Sequence, residues 1–205
     1  MSRVILVRHP PVTNPKGLCY GRSDIPLADN WRAMLPAAPP WSPAKQVFSS
    51  PSPRCQRLAA AWFGDDRSIT IDERLAEWNF GHWEQQTWEA IGRQAIDWWN
   101  ADVFGRPLPG GESFQHVLQR AVSFCESHIV PTSNRDYIVI THGGLIKALL
   151  CYLFQLKLNA TIAMDIPFAR PLFVDLISTD KSPIRGCPTA LPAILAQIAR
   201  TTILT

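Results

Sequence analysis

Two short apolar runs, far apart in the chain, each stop at a histidine. Val4-Ile5-Leu6-Val7 leads into Arg8-His9, and Tyr137-Ile138-Val139-Ile140 leads into Thr141-His142-Gly143-Gly144. A strand with one wet face alternates polar and apolar residues. An unbroken apolar run predicts a strand covered on both faces. Gln46-Val47-Phe48-Ser49, residues 68–71 and residues 172–177 read as further strands. Helices are expected at 54–63, with Leu58, Ala59, Trp62 and Phe63 on one side, at 113–128 and at 145–154. Strands alternating with helices predict an α/β layered domain around a mostly parallel sheet. A short helix at 28–35, one or two helices within 72–111 and a terminal helix at 194–200 complete the reading.

Ligands gather at the carboxyl ends of strands in open α/β sheets. Two parallel strands therefore carry His9 and His142 to one edge. Arg8 comes with the first histidine, and Gly143 opens a helix beside the second, where free N–H groups favour anions. The run Ser49-Ser50-Pro51-Ser52-Pro53-Arg54 follows another strand and sets Arg54 in the first turn of its helix. A helix start is a poor place for a cation unless an anion sits there. A guanidinium fork matches phosphate and keeps its charge at any working pH. Together these groups describe a pocket for a dianion.

The rest of the composition narrows the alternatives. The chain has 205 residues, 46% of them hydrophobic, enough for one sizeable core. A formal charge of +3 with no basic block argues against nucleic acid. The longest apolar stretch is interrupted by Lys147 and Gln155 and is too short for a bilayer. Five cysteines without a CxxC pair and a start that runs straight into a strand point to reduced thiols in the cytoplasm. There is no GxxxxGK[ST] run for a P-loop. His82, His116 and His128 share no metal-ligand spacing, and no metal or other cofactor is expected.

The ordered set of motifs resembles the histidine phosphatase superfamily, the phosphoglycerate mutase-like fold. The opening strand–Arg-His is Leu6-Val7-Arg8-His9. The Ser-Pro-x-x-Arg run is Ser50-Pro51-Ser52-Pro53-Arg54, and the acidic motif is Leu75-Ala76-Glu77-Trp78-Asn79-Phe80-Gly81-His82-Trp83-Glu84. Gly110-Gly111-Glu112-Ser113 and Ile140-Thr141-His142-Gly143-Gly144 complete the series, which covers about residues 3–178. Within the superfamily, Cys19-Tyr20-Gly21-Arg22-Ser23-Asp24-Ile25-Pro26-Leu27 resembles the α-ribazole phosphatase branch. The resemblance implies a three-layer α/β/α fold over residues 1–178, with a helical insertion at about 72–111 and a tail at 179–205. It also implies that His9 attacks phosphorus in its neutral form, its second nitrogen carrying a proton to some acceptor. Arg8, Arg54 and His142 would hold the phosphoryl oxygens, and Glu77 would protonate the leaving alkoxide and then activate water.

Gly143, Ser23, Arg22 and Asn14 are the further candidates for binding substrate, and Glu112 is expected to cap or charge its helix. The tryptophans are read mainly as core, with one available to stack on a heteroaromatic base. The expected partner is a small phosphorylated metabolite, and a homodimer stays open. Alternatives are a phosphatase for another sugar phosphate or a nucleotide, a phosphoglycerate mutase, or an anion-binding protein without catalysis. One departure is plain. Pro10-Pro11 replace the Gly-Glu that often follows the histidine, which removes two N–H donors and a carboxylate.

Overall fold

A computed structural model describes residues 2–14, 16–39, 45–64, 68–177 and 185–186. Its strands are β1 (Arg3–Arg8), β2 (Lys45–Ser49), β3 (Ile69–Ile71), β4 (Asp136–Thr141), β5 (Leu172–Ile177) and β6 (Arg185–Gly186). They form one sheet in the order β3-β2-β4-β1-β5-β6. β1, β2, β3 and β4 are parallel, whereas β5 runs antiparallel to β1 and β6 antiparallel to β5. The two strands that end at the histidines are therefore neighbours at the centre, in register from Arg3↔Asp136 to Arg8↔Thr141.

The pleat sorts the central side chains between two cores. Val4, Leu6, Phe48, Tyr137 and Val139 face the larger one, with helices α4 (Phe114–His128) and α5 (Gly143–Phe154) packed over them. Ile5, Val7, Val47, Ile138 and Ile140 face the other, under helix α1 (Pro53–Phe63) through Cys55, Leu58, Ala59 and Phe63. The result is a three-layer α/β/α fold of the phosphoglycerate mutase-like kind. Ile138 has no exposed surface, so trimming it to alanine removes about 2–5 kcal/mol of stability.

The segment 72–111 holds two 3-10 turns, Glu73–Leu75 and Gly81–Trp83, and two short helices, α2 (Trp88–Ile91) and α3 (Arg93–Asn100). A sixth helix, α6 (Leu158–Ile162), was not anticipated. Residues 28–35 are a run of turns instead of a helix, tied by Trp31 N–H to Ala28 O (3.0 Å) and Met34 N–H to Trp31 O (3.2 Å). Asp29 and Asn30 favour turns over helix, and Pro36 allows no further extension. Ser113, not Glu112, caps α4, in a reciprocal box with His116. The expected helix at 194–200 lies outside the described residues. No helix among them is long and apolar enough to cross a membrane.

Candidate active site

β1 and β4 end side by side, and the amide of His9 donates to the Thr141 carbonyl at 2.9 Å. This backbone bond brings the two imidazoles to 5.2 Å between ring centroids. Both rings are buried, at 1% and 0% exposure. His9 Nδ1 lies 2.7 Å from the Pro10 carbonyl. A carbonyl only accepts, so Nδ1 carries the proton and Nε2 keeps its lone pair. Burial, then the charges of Arg54 and Arg8, push His9 well below the ordinary imidazole range, with the Pro10 bond pulling weakly the other way.

His142 precedes α5. Burial, then His9 and Arg54, push it well down too. Arg54 Nη2 sits 3.1 Å from its Nδ1. A guanidinium only donates, so the proton of His142 is on Nε2, which donates to Ser50 Oγ at 2.7 Å.

Arg54 is 1% exposed. Its Nη1 donates to the Ser23 carbonyl (2.8 Å) and Nη2 to the Gly21 carbonyl (2.5 Å). Arg8 donates from Nη1 to the Ile166 carbonyl (2.7 Å). Both arginines keep a buried Nε–H with no hydrogen-bond partner among the described residues. Burying such a donor unmatched is costly, and an arriving anion removes the cost.

Arg8, His9, Glu77 and Gly143 line one cavity of about 350 Å³. A second pocket of about 240 Å³ is lined by Arg54, His142, Ser50, Arg22 and again Glu77. Glu77 therefore stands where the two meet. Its Oε1 accepts from the Trp78 amide (2.9 Å) and its Oε2 from the Gly144 amide (3.2 Å). Among the described residues no group of His, Cys, Asp and Glu side chains is gathered as for a metal ion.

The family model of the histidine phosphatase superfamily (branch 1) matches residues 4–173. The chain belongs to that family. It is thus an enzyme of phosphoryl transfer, a phosphatase or a mutase. Among curated relatives, a 2,3-bisphosphoglycerate-dependent phosphoglycerate mutase of Rhizobium etli is 28% identical over 187 residues, covering 83% of this chain and 89% of that one. Among solved structures, the α-ribazole phosphatase of Shigella flexneri aligns with a TM-score of 0.72 at 20% identity, over 92% of this chain and 96% of that one. A mycobacterial glucosyl-3-phosphoglycerate phosphatase aligns with a TM-score of 0.73 at 22% identity, over 90% and 95%. At these identities the structural likeness speaks for the fold.

The remaining candidates take varied places in this member of the superfamily. Ser23 turns its hydroxyl to Glu84 Oε2 (2.5 Å) and reaches Arg54 only through its carbonyl. Arg22 lines the smaller pocket while pairing with Glu112 (3.3 Å). Asn14 is not brought to the cage. It closes its own loop, accepting from the Leu18 amide (2.9 Å) and donating to the Leu18 carbonyl (3.0 Å).

Several positioning residues escaped the sequence reading. Glu84 accepts from the amides of Gly21, Arg22, Ser23 and Phe80. Burial pushes its carboxyl up, but these bonds together with that of Ser23 Oγ outweigh it and hold the group below the usual carboxylate range. Arg120, paired with Glu112, donates to the carbonyls of Arg74, Ala76 and Glu77 and fixes the loop that carries Glu77. Glu84 stood in the quoted acidic motif without a role. Arg120, in the middle of α4, had no local signal.

Proposed function

We propose that the chain is a phosphomonoester hydrolase working through a phosphohistidine on His9, with α-ribazole 5′-phosphate as substrate. The observation that carries the hydrolase reading is the His9 tautomer. Nδ1 is committed to the Pro10 carbonyl, and Nε2 remains a neutral nucleophile between two guanidinium groups.

In the first step Nε2 forms a bond to phosphorus as the ester P–O bond breaks, and Glu77 gives its proton to the departing alkoxide. Charge on the transferring group falls on the Nε–H donors of Arg8 and Arg54 and on His142. Ser50 Oγ accepts from His142 Nε2–H throughout: a proton brought in by the monoanionic ester and taken up at Nδ1 makes the ring an imidazolium, which keeps the Ser50 bond and donates to a phosphoryl oxygen from Nδ1. In the second step a water loses a proton to Glu77 and attacks phosphorus, which frees His9 and inorganic phosphate. Pro10-Pro11 offer no carboxylate; of the two acids that line the cavity, Asp165 is mostly exposed and faces Arg8, which leaves Glu77 for the proton transfer.

Support for an alcohol that carries an aromatic base comes from Tyr20, Trp78, Phe80 and Trp99, which line the same cavity as His9. Rings so placed stack on a planar base. The α-ribazole phosphatase of Shigella flexneri, alike in fold, is a further support for this reading. A second reading is favoured by Lys147, which also lines the cavity. Its Nζ donates to the Ile162 carbonyl (2.8 Å), while burial and then Arg8 lower its pKa. An ammonium there suits a carboxylate-bearing ester such as a phosphoglycerate.

Initial rates on α-ribazole 5′-phosphate, 3-phosphoglycerate, phosphoserine and a nucleoside monophosphate, in excess chelator, separate these readings. The expected kcat/KM favours α-ribazole phosphate by about tenfold or more. Preference for the carboxylate esters overturns that assignment, and conversion of 3- to 2-phosphoglycerate makes the chain a mutase.

A further inference from the structure

The segment between α6 and β5 holds the far side of the nucleophile. Phe168 forms an isolated parallel bridge with Arg8, and the next amide, of Ala169, donates to the Arg8 carbonyl at 2.9 Å. Ala169 has φ of 51°, a left-handed conformation that a residue with a Cβ adopts only when its surroundings impose it. The backbone is thus pinned where β1 ends, and it presents one ring to two side chains of the cage. The Arg8 Cζ lies 3.7 Å from the Phe168 ring centroid. The His9 ring lies 5.5 Å from the same centroid, tilted by 58°.

A guanidinium at this distance over a ring face is held by the negative face of the π-system, which an aliphatic side chain of equal bulk does not supply. Arg8 has little else to fix its heading. Its Nη1 takes the Ile166 carbonyl, its Asp165 partner is 3.9 Å away with a mostly exposed carboxylate, and Nε–H has no partner. Rotation about the last bonds of Arg8 would swing that Nε–H off the phosphoryl position.

We propose that Phe168 is a positioning residue: its ring face orients the Arg8 guanidinium toward the transferring phosphoryl group, and its bulk keeps water off the His9 ring. The proposal rests on the phosphohistidine reading of His9. Phe168 acts through Arg8 and His9 and touches no reacting atom.

The test compares Phe168→Leu with Phe168→Tyr and Phe168→Trp, using p-nitrophenyl phosphate for turnover and orthovanadate for binding. F168L is expected to lose about tenfold in kcat, with KM within about twofold, because Arg8 grips the transition state more than the ground state. F168Y and F168W keep a π-face and stay within about twofold of wild type. The acid limb of kcat/KM adds a readout that a purely structural role does not move. His9 is faced by Arg8 from β1, Arg54 from α1, His142 and Lys147 from α5 and its start, Asp165 from the segment that carries Phe168, and Glu77 from the cavity wall, none of which is altered in these variants. Letting water in at position 168 shifts the limb of F168L upward, toward 6.5. If F168L melts several degrees lower, F168M serves as the aliphatic arm. Aliphatic variants that keep kcat and the limb, or ring-bearing variants that fail as badly as F168L, overturn the inference alone. A wild-type chain that neither turns over p-nitrophenyl phosphate nor binds orthovanadate overturns the phosphohistidine reading and this inference together.

Discussion

The phosphoryl cage and the aromatic wall meet at His9 and Glu77 but are built by different forces. In the cage, nearly every heading is set by a directed bond: Pro10 to His9, Ser50 and Arg54 to His142, Gly21 and Ser23 to Arg54. In the wall, rings meet edge to face. Trp99 lies 5.5 Å from Trp78, 6.3 Å from Phe80 and 5.7 Å from Trp83. Its own helix, α3, has no buried residue, and Trp98 beside it is 46% exposed. Hydrogen bonds lose their strength within a few tenths of an ångström, whereas ring contacts tolerate sliding. On the proposed reading, the stiff part would hold the chemistry and the part that adapts would choose the alcohol.

Substitutions can break this division, and the cage should suffer most. His9→Ala should abolish turnover, by about a thousandfold or more, and leave no acid-labile phosphoryl label on the denatured chain. Arg54→Lys should cost about a hundredfold in kcat on any ester, since it removes the Nε donor and unties the Gly21 and Ser23 carbonyls. Glu77→Gln sharpens the assignment: about a hundredfold loss on alkyl phosphates, but much less on p-nitrophenyl phosphate, whose leaving group needs no proton. Trp99→Leu should raise KM about fivefold for an aromatic ester, with little change for a small aliphatic one.

A fifth expectation concerns stability. His9 and His142 have folded pKa values well below 6.5, so the unfolded chain binds more protons in that window. Their contribution is present in full above 6.5 and is lost as pH falls from there toward the folded values. The melting temperature should fall on acidification below 6.5, before the carboxylates of Asp72, Glu84 and Asp136, which are held low, begin to protonate. A variant with both histidines replaced should show a flatter profile in that window.

The same division governs what could be read from the chain alone. Arg8 ends a strand, His9 and His142 each follow one directly, and Arg54 stands in the first turn of a helix. A local run such as Val7-Arg8-His9 therefore announces both element and chemistry. Glu84, Arg120 and Phe168 reach the loops and strand ends of the site across 43 to 160 positions of chain, and no local pattern marks such a pairing. Lys147 looked like a flaw in an apolar helix, because α5 packs on one side and lines the cavity on the other. The turns at 28–35 differ for a local reason: Asp29 and Asn30 favour turns and Pro36 ends the run, so no helix forms there.

The paired prolines behind the nucleophile carry a consequence of their own. The Pro10 carbonyl belongs to a tertiary amide, because Pro11 follows it, and a residue ahead of proline is confined to extended backbone. The oxygen that receives the His9 proton is therefore aimed before any substrate arrives, with few alternative backbone states to lose. What looks like a missing loop feature is a hinge that has been taken out, and the imidazole inherits its stillness.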